Sequence, residues 1–435
     1  MRNSETEVIR DRQGCMMVIP GGSALRCYSI NEVITRVCLA RPNIAKKPSD
    51  VKAMKMPFFP EKSVKLAETS IDFVCENRNI QRTILFDTAM ASSSNKTVFL
   101  TGSTGFIGSR VLEILCQDGW NVRALVRNVT KARGMFESWQ TTTPGNVECI
   151  EGDLFAGSPA DRTKLFVECL AGANAAIHIA EAKTKEKDFD AKNIKTFGLL
   201  LEAAAETASL ERFVFVSAFM AGGLPQPLPK ILTEEMTGVE FPDPYFQWKR
   251  MAERLLIKSS GKSRFTYSIV RPALVYGPHA EWLVPMLSAI KNIGPYFVPL
   301  PNGGAAPLGT VHVDDVASTI AMSASSKYSE NQIIQAVDNV GTTYVDWFET
   351  ISKTSNRKVK IRRIPESIVY ALANAADMLT SLINLHFGTY LWAQVLSEGC
   401  GYSNEKMKGI IGNLKYPTIR EGIPGMMEWF VRTHG

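Results

Sequence analysis

From Thr97 onward, short apolar runs alternate with longer amphipathic stretches. Thr97–Thr101 (TVFLT) is a run of strand length that ends at a glycine-rich turn, and the spacing from about Phe106 to Asp118 predicts a helix. Asn121–Val126 predicts a second strand, followed by a basic helix from about Thr130. Further strands are predicted at Cys149–Glu151, Ala175–Ile179, Phe213–Val216 and Tyr267–Arg271, with helices at about 161–171, 190–207 and 245–258 between them. This alternation implies βαβ crossovers and a parallel sheet covered on both faces. The predicted class is α/β: a doubly wound Rossmann-type sheet with a smaller, mainly helical C-terminal substrate-binding region.

The pattern divides the chain into three. Residues 97–277 form the expected dinucleotide-binding domain. Residues 278–435 form the substrate-binding region, with Pro and Gly clustered at 292–308, a returning strand at Gln332–Val337 and helices beyond. That region is expected to fold over the carboxyl ends of the strands, where open α/β sheets take their ligands. In residues 1–96, apolar pieces (Met16–Pro20, Ile34–Leu39) alternate with basic, Pro-containing ones (Arg41–Pro48, Met54–Pro60), and the expectation is a poorly ordered extension. Met90, followed by Ala-Ser-Ser-Ser-Asn-Lys, makes a natural start before the first strand. A targeting leader, a regulatory tail and wrongly joined upstream sequence all stay open for this segment.

Composition narrows the classes. Of 435 residues, 45% are hydrophobic and 21% charged, as in an ordinary globular enzyme. The net charge of +6 is mild, and Lys and Arg are spread along the chain, so no nucleic-acid partner is expected. The eight cysteines include no CxxC pair, which fits free thiols in a reducing compartment. No uninterrupted apolar stretch is long enough to span a bilayer; Ile368–Leu391 is broken by Asn374, Asp377, Asn384 and His386 and predicts a buried or surface-seeking helix pair. Peripheral membrane contact through these C-terminal helices stays open. Glu5, Glu7 and Asp11 argue against a secretory signal or a typical transit peptide, so the expected location is the cytoplasm, with organellar targeting by residues 1–96 left open.

The strongest motif is Thr101-Gly102-Ser103-Thr104-Gly105-Phe106-Ile107-Gly108. Gly102 suits the turn off the strand, Gly105 lets backbone N–H groups approach a pyrophosphate, and Gly108 lets the helix pack on the sheet. At the end of the second strand stands Arg127, with Lys131 nearby, where an NAD-selective site carries an acid. This favours NADP(H), with NAD(H) as the alternative; the competing reading is a solvated surface arginine. Asp153, after the third strand, is placed near an adenine amino group or else is a turn aspartate capping the next helix.

Taken in order, TGSTGFIG, GDL at Gly152–Leu154, IHIA at Ile177–Ala180, Asn193 with LLLEAA, FVFVSA at Phe213–Ala218, Tyr245-Phe-Gln-Trp-Lys249, RPALVYGP at Arg271–Pro278 and VHVDDVA at Val311–Ala317 resemble the extended short-chain dehydrogenase/reductases. The resemblance runs from about Thr97 to the C-terminus. Its pattern is nearest the 3β-hydroxysteroid dehydrogenase and dihydroflavonol reductase branch of the NAD-dependent epimerase/dehydratase superfamily, which Tyr402–Lys406 and the closing helix also resemble. It implies cofactor contacts from Gly102, Ser103, Thr104, Gly105, Phe106, Ile107, Gly108, Arg127, Asp153, Leu154, Ile179, Ala180, Tyr245 and Lys249. It also implies a Tyr245 acid/base with Lys249 one helical turn on, close enough to lower the tyrosine pKa. The family's third catalytic hydroxyl falls at Ala218, and the neighbouring Ser217 is the candidate to replace it. His178 reads as structural, and His312, Asp314 and Asp315 as the opening of a helix capped by aspartate, not as a metal site.

Three functions follow. The first is an NADP(H)-dependent oxidoreductase acting on a carbonyl or hydroxyl of a steroid-, isoprenoid- or flavonoid-like small molecule. Its pocket would draw on Phe219, Met220, Phe241, Trp282, Met286, Tyr296 and Phe297. The second is a nucleotide-sugar epimerase or dehydratase; the third is a non-catalytic NADP(H)-binding scaffold, favoured by Ala218. A homodimer is in keeping with the family.

Overall fold

A computed structural model describes residues 96–140, 142–182, 188–339, 341–381 and 388–435, together with two ribbons nearer the N-terminus, Thr6–Arg10 with Met16–Pro20 and Leu66–Ala67 with Ser70–Ile71. Most of the expected N-terminal extension lies outside the described residues. The chain divides into two compact units, Met1–Ser93 and Ser94–Gly435.

The second unit is built on seven strands: β1 Thr97–Thr101, β2 Asn121–Val126, β3 Val147–Glu151, β4 Ala175–His178, β5 Arg212–Val216, β6 Thr266–Pro272 and β7 Gln332–Ala336. They lie in the order β3-β2-β1-β4-β5-β6-β7, and every neighbouring pair is parallel. Among the described residues, the helices are α1 Phe106–Gln117, α2 Val129–Gln140, α3 Pro159–Leu170, α4 Phe189–Glu206, α5 Pro244–Ser260, α6 Val284–Asn292, α7 Val313–Ser323, α8 Tyr344–Ser355, α9 Glu366–Ser381, α10 Thr389–Ser397, α11 Glu405–Ile411 and α12 Ile419–His434. This is the doubly wound Rossmann-type fold.

The two-residue period of the strands builds the two cores. Val98, Leu100, Val214 and Val216 point to a layer filled by Val111, Leu112 and Leu115 of α1 and Val316 and Ile320 of α7. Phe99, Phe213 and Phe215 point the other way, onto Phe166 of α3, Phe197 and Leu200 of α4 and Trp248 and Leu256 of α5. The C-terminal region has a third core of Tyr276, Leu283, Trp347, Ile423, Trp429 and Phe430.

Three local features differ from expectation. The Pro- and Gly-rich stretch contains a strand, Tyr296–Pro301, paired in parallel with Val359–Ile364; a two-stranded ribbon leaves one edge of each strand unpaired, so Pro299 is tolerated. A second small pair joins Leu274–Tyr276 to Thr310–His312. At the start of α7 the cap is His312 and not an aspartate: the Asp314 N–H donates to its Nδ1 at 3.2 Å. Asp314 is instead bound to Arg110 and Lys415, and Asp315 accepts the backbone N–H groups of Lys415 and Tyr416 at 2.7 and 2.9 Å. These ties fasten the C-terminal segment to the sheet domain.

Candidate dinucleotide and active site

Between β1 and β4 the chain changes direction, and the crevice at such a switch point is where doubly wound sheets bind ligands. A cavity of about 730 Å³ opens there, within the ordinary range for small-molecule sites. Thr101 holds its base together: its Oγ1 accepts the Ile179 and Ala180 N–H groups at 3.2 and 3.3 Å and pairs with His178 Nδ1 at 2.9 Å. Burial, helped by the Lys249 charge, lowers the His178 pKa to about 3, so the imidazole stays neutral and structural.

The glycine loop lines one wall. Gly102 has φ +78°, and a Cβ there would lie 3.0 Å from the Ala180 nitrogen. At Gly108 a Cβ would sit 2.0 Å from the Gly102 carbonyl oxygen, an overlap that no side chain tolerates. No side chain caps α1 and its first turn holds no acid, so its N-terminal N–H groups stay available to an anion. An open helix N-terminus with a cradle too tight for any Cβ fits a dinucleotide pyrophosphate.

Of the residues expected at the cofactor, Gly102, Thr104, Gly105, Phe106, Ile107, Gly108, Arg127, Asp153, Leu154, Ile179, Ala180, Tyr245 and Lys249 all line this cavity, and so does Ser217. Ser103 does not; it is fully buried and its hydroxyl has no partner. Asp153 organises a turn, its Oδ1 accepting the Phe155 N–H at 2.9 Å. Arg127 is exposed at the end of β2 and faces the cavity.

The Tyr–Lys pair sits on α5, whose start is fixed by Asp243: its carboxylate accepts the Tyr245 N–H at 2.7 Å, and Pro244 fills the first helical position. Lys249 is almost fully buried. Its Nζ donates to the Val216 carbonyl at 3.0 Å and pairs with Glu181 at 3.1 Å. An ammonium has three N–H donors, so one remains for a ligand. The expected lowering of the Tyr245 pKa is not what the surroundings produce. Burial, reinforced by the Glu181 and Asp243 charges, pushes it well above the ordinary tyrosine value, and the hydroxyl is a proton donor at neutral pH. Lys249 is 5.5 Å from the Tyr245 ring centre, with Glu181 beside it to offset its charge.

Ser217 has another partner. Its Oγ donates to Glu253 Oε1 at 2.5 Å, and the same carboxylate receives Arg271 through Nε at 2.9 Å and Nη2 at 2.6 Å. A hydroxyl has one proton to give, so in this arrangement Ser217 offers none to a substrate. The triad is buried, and removing either Arg271 or Glu253 leaves an uncompensated charge, which costs about 3–5 kcal/mol. Arg271→Met is therefore expected to lower stability by about that much in a denaturant titration, and Arg271→Met with Glu253→Leu to recover part of it. A single variant of unchanged stability would contradict this account.

The model of the NmrA-like family matches residues 94–421, about three quarters of the chain. The chain belongs to the NmrA-like family. Within the NAD(P)-binding short-chain dehydrogenase/reductases, this NmrA-like chain falls with the extended reductase/epimerase type. It is 26% identical over 294 residues to a 4-hydroxy-2-methyl-3-oxo-4-farnesyl-3,4-dihydroquinoline-1-oxide ketoreductase of Stigmatella aurantiaca, covering 65% of this chain and 80% of that one. It is 25% identical over 300 residues to a ceramide reductase of Caulobacter vibrioides (strain NA1000 / CB15N), covering 68% and 82%. It also matches a nonribosomal peptide synthetase, inpA of Emericella nidulans, at 28% identity, but spans only 19% of that protein's length. Among solved structures, gox2253 aligns with a TM-score of 0.62 at 22% identity, covering 78% of this chain and 99% of that one. MoeE5 in complex with UDP-glucose and NAD aligns with a TM-score of 0.57 at 19% identity, covering 78% and 100%. Likeness at these identities concerns the fold alone.

The sequence reading missed Glu181 and Lys192, both on the cavity wall. Glu181 follows directly on IHIA at the carboxyl end of β4, so the switch-point rule alone would have found it. On the substrate side, Phe219, Phe246, Val275 and Trp282 line the cavity. Met220 and Phe241, expected there, are core residues instead, while Tyr296 and Phe297 lie on the parallel ribbon.

Proposed function

We propose that this NmrA-like protein is an NADP(H)-dependent oxidoreductase acting on a carbonyl or hydroxyl of an apolar small molecule. The observation that carries the reading is the meeting of Tyr245 and Lys249 with the glycine loop in one cavity. NADPH would supply the hydride. Tyr245, held protonated by burial, gives its proton to the oxygen of the substrate as charge develops there. Lys249, anchored by Val216 and Glu181, has one N–H left for the nicotinamide ribose. Ala218 supplies no hydrogen bond and Ser217 is engaged by Glu253, so Tyr245 carries the oxygen alone.

The apolar substrate side supports the choice of ligand. Trp282 spends its indole N–H on the Val275 carbonyl at 3.2 Å and presents a ring at the rim. The relatives named for farnesyl-dihydroquinoline and ceramide reduction agree with an apolar carbonyl compound. A nucleotide sugar would need cations near its diphosphate. Of the described lining cations, Arg127 and Lys192 belong to the cofactor side, where Lys192 lies over the Phe155 ring at 5.4 Å, and Lys249 is engaged by Glu181.

Arg127 is the proposed partner of the 2′-phosphate. Arg127→Asp is expected to weaken NADPH binding about 10- to 100-fold, the worth of one charge-assisted hydrogen bond, while an acid able to bond the ribose hydroxyls favours NADH. Fluorescence titration with both cofactors checks this, and an unchanged preference would refute the role of Arg127. Denaturing the purified protein and assaying the released nucleotide separates the two catalytic readings. A retained stoichiometric NAD(H) would replace the reductase reading with the epimerase one.

A further inference from the structure

α9 turns its apolar side outward. Ile368, Leu372, Met378 and Leu379 are 49%, 67%, 64% and 60% exposed, and Ala371 and Ala375 between them are exposed as well. Spacings of three and four place these six on one side of the helix. The opposite side is tied down through polar contacts. The Tyr370 hydroxyl donates to Glu398 at 2.7 Å, Ala373 is buried, and Asp377 accepts the N–H groups of Thr389 and Tyr390 at 3.0 and 2.9 Å. A helix that packs on the protein normally buries its apolar stripe; this one presents it.

The residues just before the helix add charge. Arg357, Lys358, Lys360, Arg362 and Arg363 are all exposed, and no Asp or Glu stands between Glu349 and Glu366. This run is an exception to the even spread of Lys and Arg along the chain. Lys360 and Arg362 lie over the exposed Phe297 ring, 5.9 and 4.8 Å from its centre, so this cluster also carries an aromatic side chain.

An apolar helical stripe beside uncompensated cations matches an anionic bilayer surface, where apolar side chains enter the headgroup boundary and basic residues meet acidic lipids. A symmetric pairing of two copies through the stripe would bring no acid to the basic cluster, because none of the six stripe positions is Asp or Glu. We infer that residues 357–379 form a docking face for anionic membrane surfaces. The inference goes beyond the catalytic reading and does not depend on it. α9 is continued by α10, whose Trp392 ring lies 5.2 and 5.9 Å from Phe241 and Phe246, and Phe246 lines the cavity. The docking face and the substrate side thus share one helical hairpin. The contact is peripheral: α9 is about 24 Å long at helical rise, and among the described residues no helix is long and apolar enough to cross a membrane.

Vesicle flotation of the full chain tests this, with phosphatidylcholine vesicles compared with vesicles containing phosphatidylserine. The expected result is flotation with the anionic vesicles only, weakened by raising the salt. Each basic residue near such a surface is worth about fivefold in partitioning, so Arg362→Gln with Arg363→Gln is expected to reduce binding about 25-fold. Leu372→Glu with Leu379→Glu is expected to abolish it. All four positions are surface positions away from the cofactor cavity, so NADPH affinity should be unchanged and serves as the folding control. No binding to anionic vesicles would overturn the proposal, and so would binding that neither pair of substitutions alters, which would place the contact elsewhere in the chain. A dimer in sedimentation velocity that Leu372→Glu disperses would also overturn it, because the stripe would then be an interface between copies.

Discussion

Tyr245→Phe is expected to abolish turnover while leaving the cofactor in place. The substitution removes one oxygen from a side chain that is otherwise packed against Phe246 and beneath Lys249, so the cavity keeps its shape. What is lost is the proton donor. General acid catalysis contributes about 10²–10⁴ in rate, and the larger figure is expected here because neither Ser217 nor Ala218 offers a second donor to the substrate oxygen. The loss should appear in kcat and kcat/KM together, with NADPH affinity nearly unchanged, since the interaction matters most as charge develops. Steady-state kinetics beside a fluorescence titration make the comparison. A fall in affinity as large as the fall in rate would mean that Tyr245 positions the cofactor and does not move a proton. Glu181 gives a finer check: its charge helps to raise the Tyr245 pKa, so Glu181→Gln should shift the alkaline limb of the rate profile to lower pH.

Gly108→Ala should remove cofactor binding altogether. One methyl group would have to occupy space 2.0 Å from the Gly102 carbonyl oxygen and 3.2 Å from Ser103 Cα, both parts of the loop that cradles the pyrophosphate. Either α1 moves off the sheet or the loop deforms. Overpacking of this kind costs about 1–3 kcal/mol in stability. The effect on binding is larger, because the helix N-terminus no longer points its N–H groups at the anion. A loss of at least about 100-fold in NADPH affinity is expected, equal to two good hydrogen bonds at about 1.4 kcal/mol per factor of ten. The contrasting control is Gly134→Ala on α2, where a Cβ meets nothing within 4 Å and binding should not change. Equal behaviour of the two variants would refute the tight-cradle account.

The parts of this fold that could be read from sequence are those whose signal is local. Each strand of the parallel sheet is a short apolar run, each crossover helix has its own period, and the loop Thr101–Gly108 carries three glycines at the positions where backbone must approach backbone. Tyr245 and Lys249 are one turn apart on a single helix, so their meeting was also legible. Contacts between distant segments were not. Ser217 reads as a replacement donor in the sequence, but its hydrogen bond goes to Glu253, 36 residues away, and Glu253 in turn is held by Arg271 on a neighbouring strand. The direction of the Tyr245 pKa depends on burial and on Glu181, neither of which the YxxxK spacing encodes. The strand Tyr296–Pro301 was hidden by its prolines, and its partner Val359–Ile364 by its charges, because the pairing makes an exposed ribbon and not a buried sheet.

Hydride transfer from this cavity to an apolar carbonyl, with Tyr245 supplying the proton, is the proposed reaction. The most direct measurement uses NADPH deuterated at nicotinamide C4, in each of its two stereoisomeric forms, with a panel of ketosteroids, flavonoids and quinones analysed by mass spectrometry. The account predicts a reduced product carrying one deuterium from one of the two forms, and none above background with Tyr245→Phe. Tight NADPH binding with no deuterium in any product would contradict it and leave a protein that holds the cofactor without using it.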